Sequence, residues 1–169
     1  MNGRMLSVAC GFISLVCGCA SIPASTCRTS DWHNLGYRDA LKGLESRAKD
    51  LYESCPSFHM TEYNNGREEG LDEFCTSEQA YEFGVRGGTY RGTCSGALGA
   101  IFEQAYASGR VVGALEKQLD EIDRQLQDLE YQLDNPSLTR DQYYYLRARF
   151  NELNAQRRSY EQQLARVRR

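Results

Sequence analysis

The stretch "VVGALEKQLDEIDRQLQDLEYQLDNPSLTRDQ", residues 111–142, decides how the last third of this chain folds. Val112, Leu115, Leu119, Ile122, Leu126, Leu129 and Leu133 step by three and four without a break, the seam of a coiled coil. Asn135-Pro136 ends that helix, because proline restricts the residue before it and brings no donor. Thr139 and Gln142 then have capping-box spacing, with Leu138 and Tyr143 placed as a staple. A second seam follows in Tyr143, Leu146, Phe150, Leu153, Arg157, Tyr160, Leu164 and Val167. So short a break between two long helices predicts an antiparallel coiled-coil hairpin about 45 Å long over residues 110–169. The charges agree: residues 110–134 carry seven acids and three bases, residues 139–169 three acids and eight bases, so the arms attract. Arg157 on the seam and the terminal Arg166, Arg168 and Arg169 are the basic positions that stand apart.

Upstream the pattern changes. In three segments a glycine follows an aromatic residue or histidine by three and precedes a small residue by four: His33-x-x-Gly36-x-x-x-Ala40, Tyr63-x-x-Gly66-x-x-x-Gly70 and Tyr81-x-x-Gly84-x-x-x-Gly88. Small residues four apart share one helix face and let another backbone approach. This predicts three short helices over residues 31–109, with Trp32, Tyr37, Tyr63, Phe74, Tyr81, Phe83 and Tyr90 in the core. Glycine is a poor helix former, so packing and crosslinks must hold what local preference does not.

The amino terminus supplies a compartment. Arg4 precedes the apolar run MLSVACGFISLV at residues 5–16, which as a helix spans about 18 Å against a hydrocarbon layer of ~30 Å, so it reads as a signal peptide. The run ends in Val16-Cys17-Gly18-Cys19, which resembles a lipobox. That resemblance implies cleavage after Gly18, a signal peptide of residues 1–18, and a covalent lipid on Cys19, with Cys17 unsuited because bulky Val16 precedes it. The other reading is a plain secretion signal cut after Ala20 or Ala24. Two or more acyl chains anchor stably. With Ala20 where a retention aspartate would stand, the same resemblance implies the outer membrane, periplasmic face. Residues 19–30 are then the lipidated end and linker.

Of seven cysteines, Cys10 and Cys17 leave with the signal and Cys19 is acylated. Cys27, Cys55, Cys75 and Cys94 remain, an even number in an oxidising space, and read as two disulfides with three possible connectivities. Three helices running up, down, up favour Cys27 with Cys75 and Cys55 with Cys94. The fold class expected is all-α: a small disulfide-stapled helical domain followed by a long antiparallel coiled-coil hairpin.

The runs "DWHNLGYRDALKG", "CPSFHMTEYNNGREEGLDEFC" and "EQAYEFGVRGGTYRGTC" resemble the uncharacterised YfiL-like lipoprotein family of Gram-negative bacteria, defined by a domain of unknown function. The shared positions are Asp31, Trp32, Gly36, Tyr63, Gly66, Arg67, Gly70, Cys75, Thr76, Tyr90, Gly92 and Cys94, with Ala40 departing from the usual Asp-Gly. The resemblance supports the address and the fold and implies no activity.

Nothing in the chain names a reaction. His33 and His59 are its two histidines, and Cys55 with His59 has a metal-ligand spacing that an oxidising compartment diverts to a disulfide. Glu68, Glu69, Asp72 and Glu73 read as a solvated helix face. There is no phosphate loop or nucleophile elbow, and neither half has the charge of a nucleic-acid binder: residues 20–109 hold eight bases and thirteen acids, residues 110–169 eleven and ten. The expected function is therefore a non-enzymatic, outer-membrane-anchored scaffold without metal or cofactor beyond its lipid. Its coiled coil would engage a protein partner or a second copy. The alternative is a binding module for an envelope glycan or peptide, with Trp32, Tyr90 and Arg91 lining the cleft.

Overall fold

The computed structural model describes residues 24–28 and 31–168, so the signal peptide and Cys19 lie outside the described residues. Among those described, the protein is all-helical: α1 (Ala24–Cys27), α2 (Trp32–Leu41), α3 (Ala48–Ser54), α4 (Met60–Phe74), α5 (Ser77–Val85), α6 (Gly96–Leu133) and α7 (Arg140–Val167). Polar side chains cap the starts of α2, α5 and α7. Asp31 accepts from the Asn34 N–H at 2.8 Å, Thr76 accepts from the Gln79 N–H at 3.2 Å, and Thr139 and Gln142 form the expected capping box on α7.

The glycines pair the helices, and there are four such segments where the sequence reading counted three. The fourth, Tyr106-x-x-Gly109-x-x-x-Gly113, lies in α6. Between α2 and α4, a Cβ added at Gly36 would collide with the Tyr63 carbonyl, one at Gly66 with the His33 carbonyl, and one at Gly70 with the Tyr37 carbonyl. Between α5 and α6 the same three contacts recur: Gly84 with the carbonyl of Tyr106, Gly109 with that of Tyr81, and Gly113 with that of Val85. Every one of these approaches is closer than 3.0 Å.

The correspondence is an internal repeat. Cys75, Tyr81 and Gly84 follow Cys27, His33 and Gly36 by 48 residues, while Tyr106, Gly109 and Gly113 follow Tyr63, Gly66 and Gly70 by 43. The first unit buries Trp32, Leu51, Cys55 and Tyr63, with Trp32 edge-on to Phe58 at 5.1 Å. The second buries Phe74, Cys75, Ala80, Cys94 and Phe102, with Tyr90 stacked on Phe102 at 4.5 Å.

One correction follows. Pairing is local to each unit: Cys27 bonds Cys55 (Cα–Cα 5.1 Å) and Cys75 bonds Cys94 (5.7 Å), in place of Cys27–Cys75 and Cys55–Cys94. In each unit the cysteine ahead of the first glycine-paired helix bonds the one ahead of the second: Cys27 and Cys75 precede α2 and α5, and Cys55 and Cys94 precede α4 and α6. The expected boundary at residues 109 and 110 lies within α6, whose 38 residues carry the chain from the second unit onward without a break.

Beyond the glycines, α7 lies against α6. Ile122, Leu126, Leu129 and Leu153 are buried together, flanked by Leu146, Phe150 and Tyr160. Arg157 Nε meets Asp123 Oδ1 at 2.7 Å, and Arg168 pairs with Glu116, so later residues of α7 sit beside earlier residues of α6.

Non-reducing digestion of the purified protein should give two disulfide-linked peptides, one joining Cys27 to Cys55 and one joining Cys75 to Cys94; a peptide joining Cys27 to Cys75 would reverse the assignment. Gly36→Ala and Gly84→Ala should each cost about 1–3 kcal/mol from overpacking against backbone, read as a melting-temperature drop of roughly 5 °C or more.

Candidate functional site

The residues proposed from sequence as a cleft are not brought together. Trp32 is only 2% exposed and belongs to the first unit's core, whereas Tyr90 packs in the second, its hydroxyl accepting from the Cys94 N–H at 3.0 Å. Arg91 is exposed on the loop between α5 and α6. A buried indole has no face left for a ligand, which corrects the cleft of Trp32, Tyr90 and Arg91.

The histidines sit at the surface. His33 Nε2 is 3.2 Å from Glu69, and His59, at the N-cap of α4, is 3.5 Å from Glu62. Cys55 is consumed by its disulfide, so it offers no thiolate to His59. Among the described residues no group of three or more His, Cys, Asp or Glu side chains is placed to hold a metal ion. No described helix is long and apolar enough to cross a membrane.

One polar cluster is buried. Asp39, 4% exposed on α2, receives Arg47 through two guanidinium nitrogens at 2.8–3.0 Å and the Tyr63 hydroxyl at 2.9 Å. The same hydroxyl accepts from the Arg47 backbone N–H at 3.2 Å. Burial pushes the Tyr63 phenol above its ordinary 10.0; the Arg47 N–H opposes that shift and Asp39 adds to it. With each carboxylate oxygen engaged, the cluster clamps the α2–α3 loop onto α4 and presents no open position for chemistry.

The exposed chemistry lies at the far end of α6 and α7. Tyr131, Tyr143, Tyr144 and Tyr145 are 82%, 43%, 57% and 73% exposed around the turn from Asp134 to Thr139. An open cavity of about 540 Å³ there is lined by Tyr131, Gln132, Asn135, Pro136, Leu138 and Leu146, among others. Arg140 stands over the Tyr144 ring at 5.6 Å. Twenty residues separate Gly113 from Leu133, so this end projects about 30 Å past the last glycine contact. Sequence reading placed Tyr143 on the seam and singled out none of its neighbours. The signal available was the run Gln142-Tyr143-Tyr144-Tyr145, three aromatics where a solvated helix start calls for polar residues.

Residues 31–111 match a family described as a protein of unknown function (DUF2799). The match takes in both glycine-paired units up to Val111 and leaves out the tyrosine-bearing end. No curated protein and no solved structure matches the chain.

Tyr63→Phe should lower stability by about 1–3 kcal/mol near neutral pH by leaving Asp39 and the Arg47 N–H short of a partner. A raised folded pKa stabilises fully below the unfolded value and is lost as pH rises through the folded one, so the gap between wild type and variant should narrow as pH rises past 10. Urea titrations at pH 8 and pH 11 check this.

Proposed function

We propose that this protein is an outer-membrane-anchored periplasmic scaffold, cleaved after Gly18, acylated on Cys19, and projecting α6 and α7 as an antiparallel coiled-coil hairpin toward a protein partner or a second copy. The observation that carries this reading is the exposed set Tyr131, Tyr143, Tyr144 and Tyr145 at the projecting end. Tyrosine supplies rigid, amphipathic contact area at small entropic cost and is enriched where proteins meet. The leucines inside the helix pair are already buried against one another, and at the projecting end the tyrosines offer aromatic surface for an outside contact. No catalytic role is part of this reading. The span from Cys19 to Cys27 reaches at most about 30 Å, which would hold the glycine-paired units near the bilayer and point the tyrosines away from their base.

Intact mass of the protein from membranes should lack residues 1–18 and carry added acyl chains, and an unlipidated mass would overturn the anchor. Photocrosslinkers placed at positions 131, 144 and 145 in whole cells should give a discrete adduct, either a dimer or a heterologous complex. Tyr131→Ser combined with Tyr144→Ser, at unchanged helicity, should reduce adducts from position 145 at least tenfold. No adduct from any of the three positions would overturn the role of this end.

A further inference from the structure

Arg67 on α4 is 9% exposed, and its Nη1 is buried with no hydrogen-bond partner. Among the described residues no carboxylate forms an ion pair with it. A guanidinium cannot escape by losing its proton, so an uncompensated one inside a protein is a standing cost. The repeat supplies the comparison. Arg110 follows Gly109 as Arg67 follows Gly66, yet Arg110 is exposed, lies 6.0 Å from the centre of the Tyr106 ring and donates to its hydroxyl at 3.3 Å. Glycine pairing therefore does not require an orphaned arginine at this position.

Arg67 lines a cavity of about 270 Å³ at the junction of the two units. One wall is a face of α4, with Asn64, Arg67, Glu68, Leu71 and Asp72; the other is Thr93, the Cys75–Cys94 disulfide, Ser95 and Leu98. Ser95 is the N-cap of α6, and its side chain caps none of the N–H groups behind it. The start of α6 and the Arg67 side chain, which has no ion-pair partner among the described residues, thus meet at one cavity, and both favour an anion.

Glu68 and Asp72 restrict which anion. Both are exposed, line the same cavity and are ion-paired to nothing among the described residues. They would repel phosphate and attract an ammonium group held a few ångströms from a carboxylate. The volume falls just below the ~300–1,000 Å³ of drug-sized sites, which suits one or two residues. We propose that this cavity binds a small zwitterion, a carboxylate against Arg67 and the start of α6 with its ammonium toward Glu68 and Asp72, from a free amino acid or a short peptide.

The test is calorimetric titration of the full chain with L-alanine, L-alanyl-L-alanine, acetate, ethylamine and inorganic phosphate. One or both zwitterions should bind at least tenfold more tightly than acetate, ethylamine or phosphate; tighter binding of alanine identifies a free amino acid, of the dipeptide a peptide. Arg67→Gln should melt at or above the wild-type temperature without ligand and bind at least tenfold more weakly. Asp72→Asn, an exposed change, should weaken zwitterion binding at least threefold while leaving acetate unchanged or tighter. Phosphate or acetate binding as well as the zwitterions, undiminished binding by Arg67→Gln, or no binding of either zwitterion at 10 mM would overturn the proposal.

Discussion

The contact on which the molecule depends is a glycine set against a carbonyl of the facing helix, made reciprocally. Gly36 faces the backbone of Tyr63 while Gly66 faces that of His33, and Gly84 and Gly109 do the same with Tyr106 and Tyr81. Side chains normally hold helix axes 8–10 Å apart. Removing the Cβ at the crossing lets the backbones themselves come into contact, and weak Cα–H···O interactions favour the arrangement. Neither partner tolerates a methyl group, so the constraint is two-sided. Glycine's poor helix propensity is offset by the contact it permits and by the crosslink that closes each unit. In the chain-entropy description, loops of 28 and 19 residues each contribute about 3–4 kcal/mol.

The order of the chain follows from that contact. Each unit completes its helix pair, its aromatic cluster and its disulfide within a contiguous stretch, so the non-local work left is docking one unit on the other. That docking rests on few groups: Thr93 donates to the Gly43 carbonyl at 3.0 Å, and the Phe74 ring lies close beneath Gly43, which has φ of +66°. Phe74 ends α4 of the first unit yet packs at 4.9 Å on Phe102 of the second, so a single ring serves both.

What could be read from sequence was what repeats at short range. The three-four steps of Ile122, Leu126 and Leu129, the stop at Pro136 and the cap at Thr139 are each decided by neighbours within one helical turn, and those leucines are buried and that cap forms. The aromatic-glycine motif was legible for the same reason, except at Tyr106 to Gly113, where Val112 already belonged to the leucine pattern and masked it. Missing the fourth segment turned two pairs into an up-down-up triplet, and the expected cysteine connectivity followed from that miscount. Trp32 was expected at a ligand cleft, but a lone tryptophan does not reveal whether its second face is covered; here Leu51 and Phe58 cover it. The isolation of Arg67 was illegible too, since Glu68 and Asp72 stand near it in sequence and do not pair with it.

The uninterrupted α6 has a mechanical consequence. Its first turn forms a wall of the cavity beside Arg67, its second third is bolted to α5 through Gly109 and Gly113, and its last turn carries Tyr131. At 1.5 Å per residue its 38 residues make a rod of about 57 Å, so a pivot of about 5° moves one end relative to the other by about 5 Å. The glycine crossing lies nearer the cavity than the tyrosines, so a single stiff helix spans both ends of the molecule with its fixed point off centre.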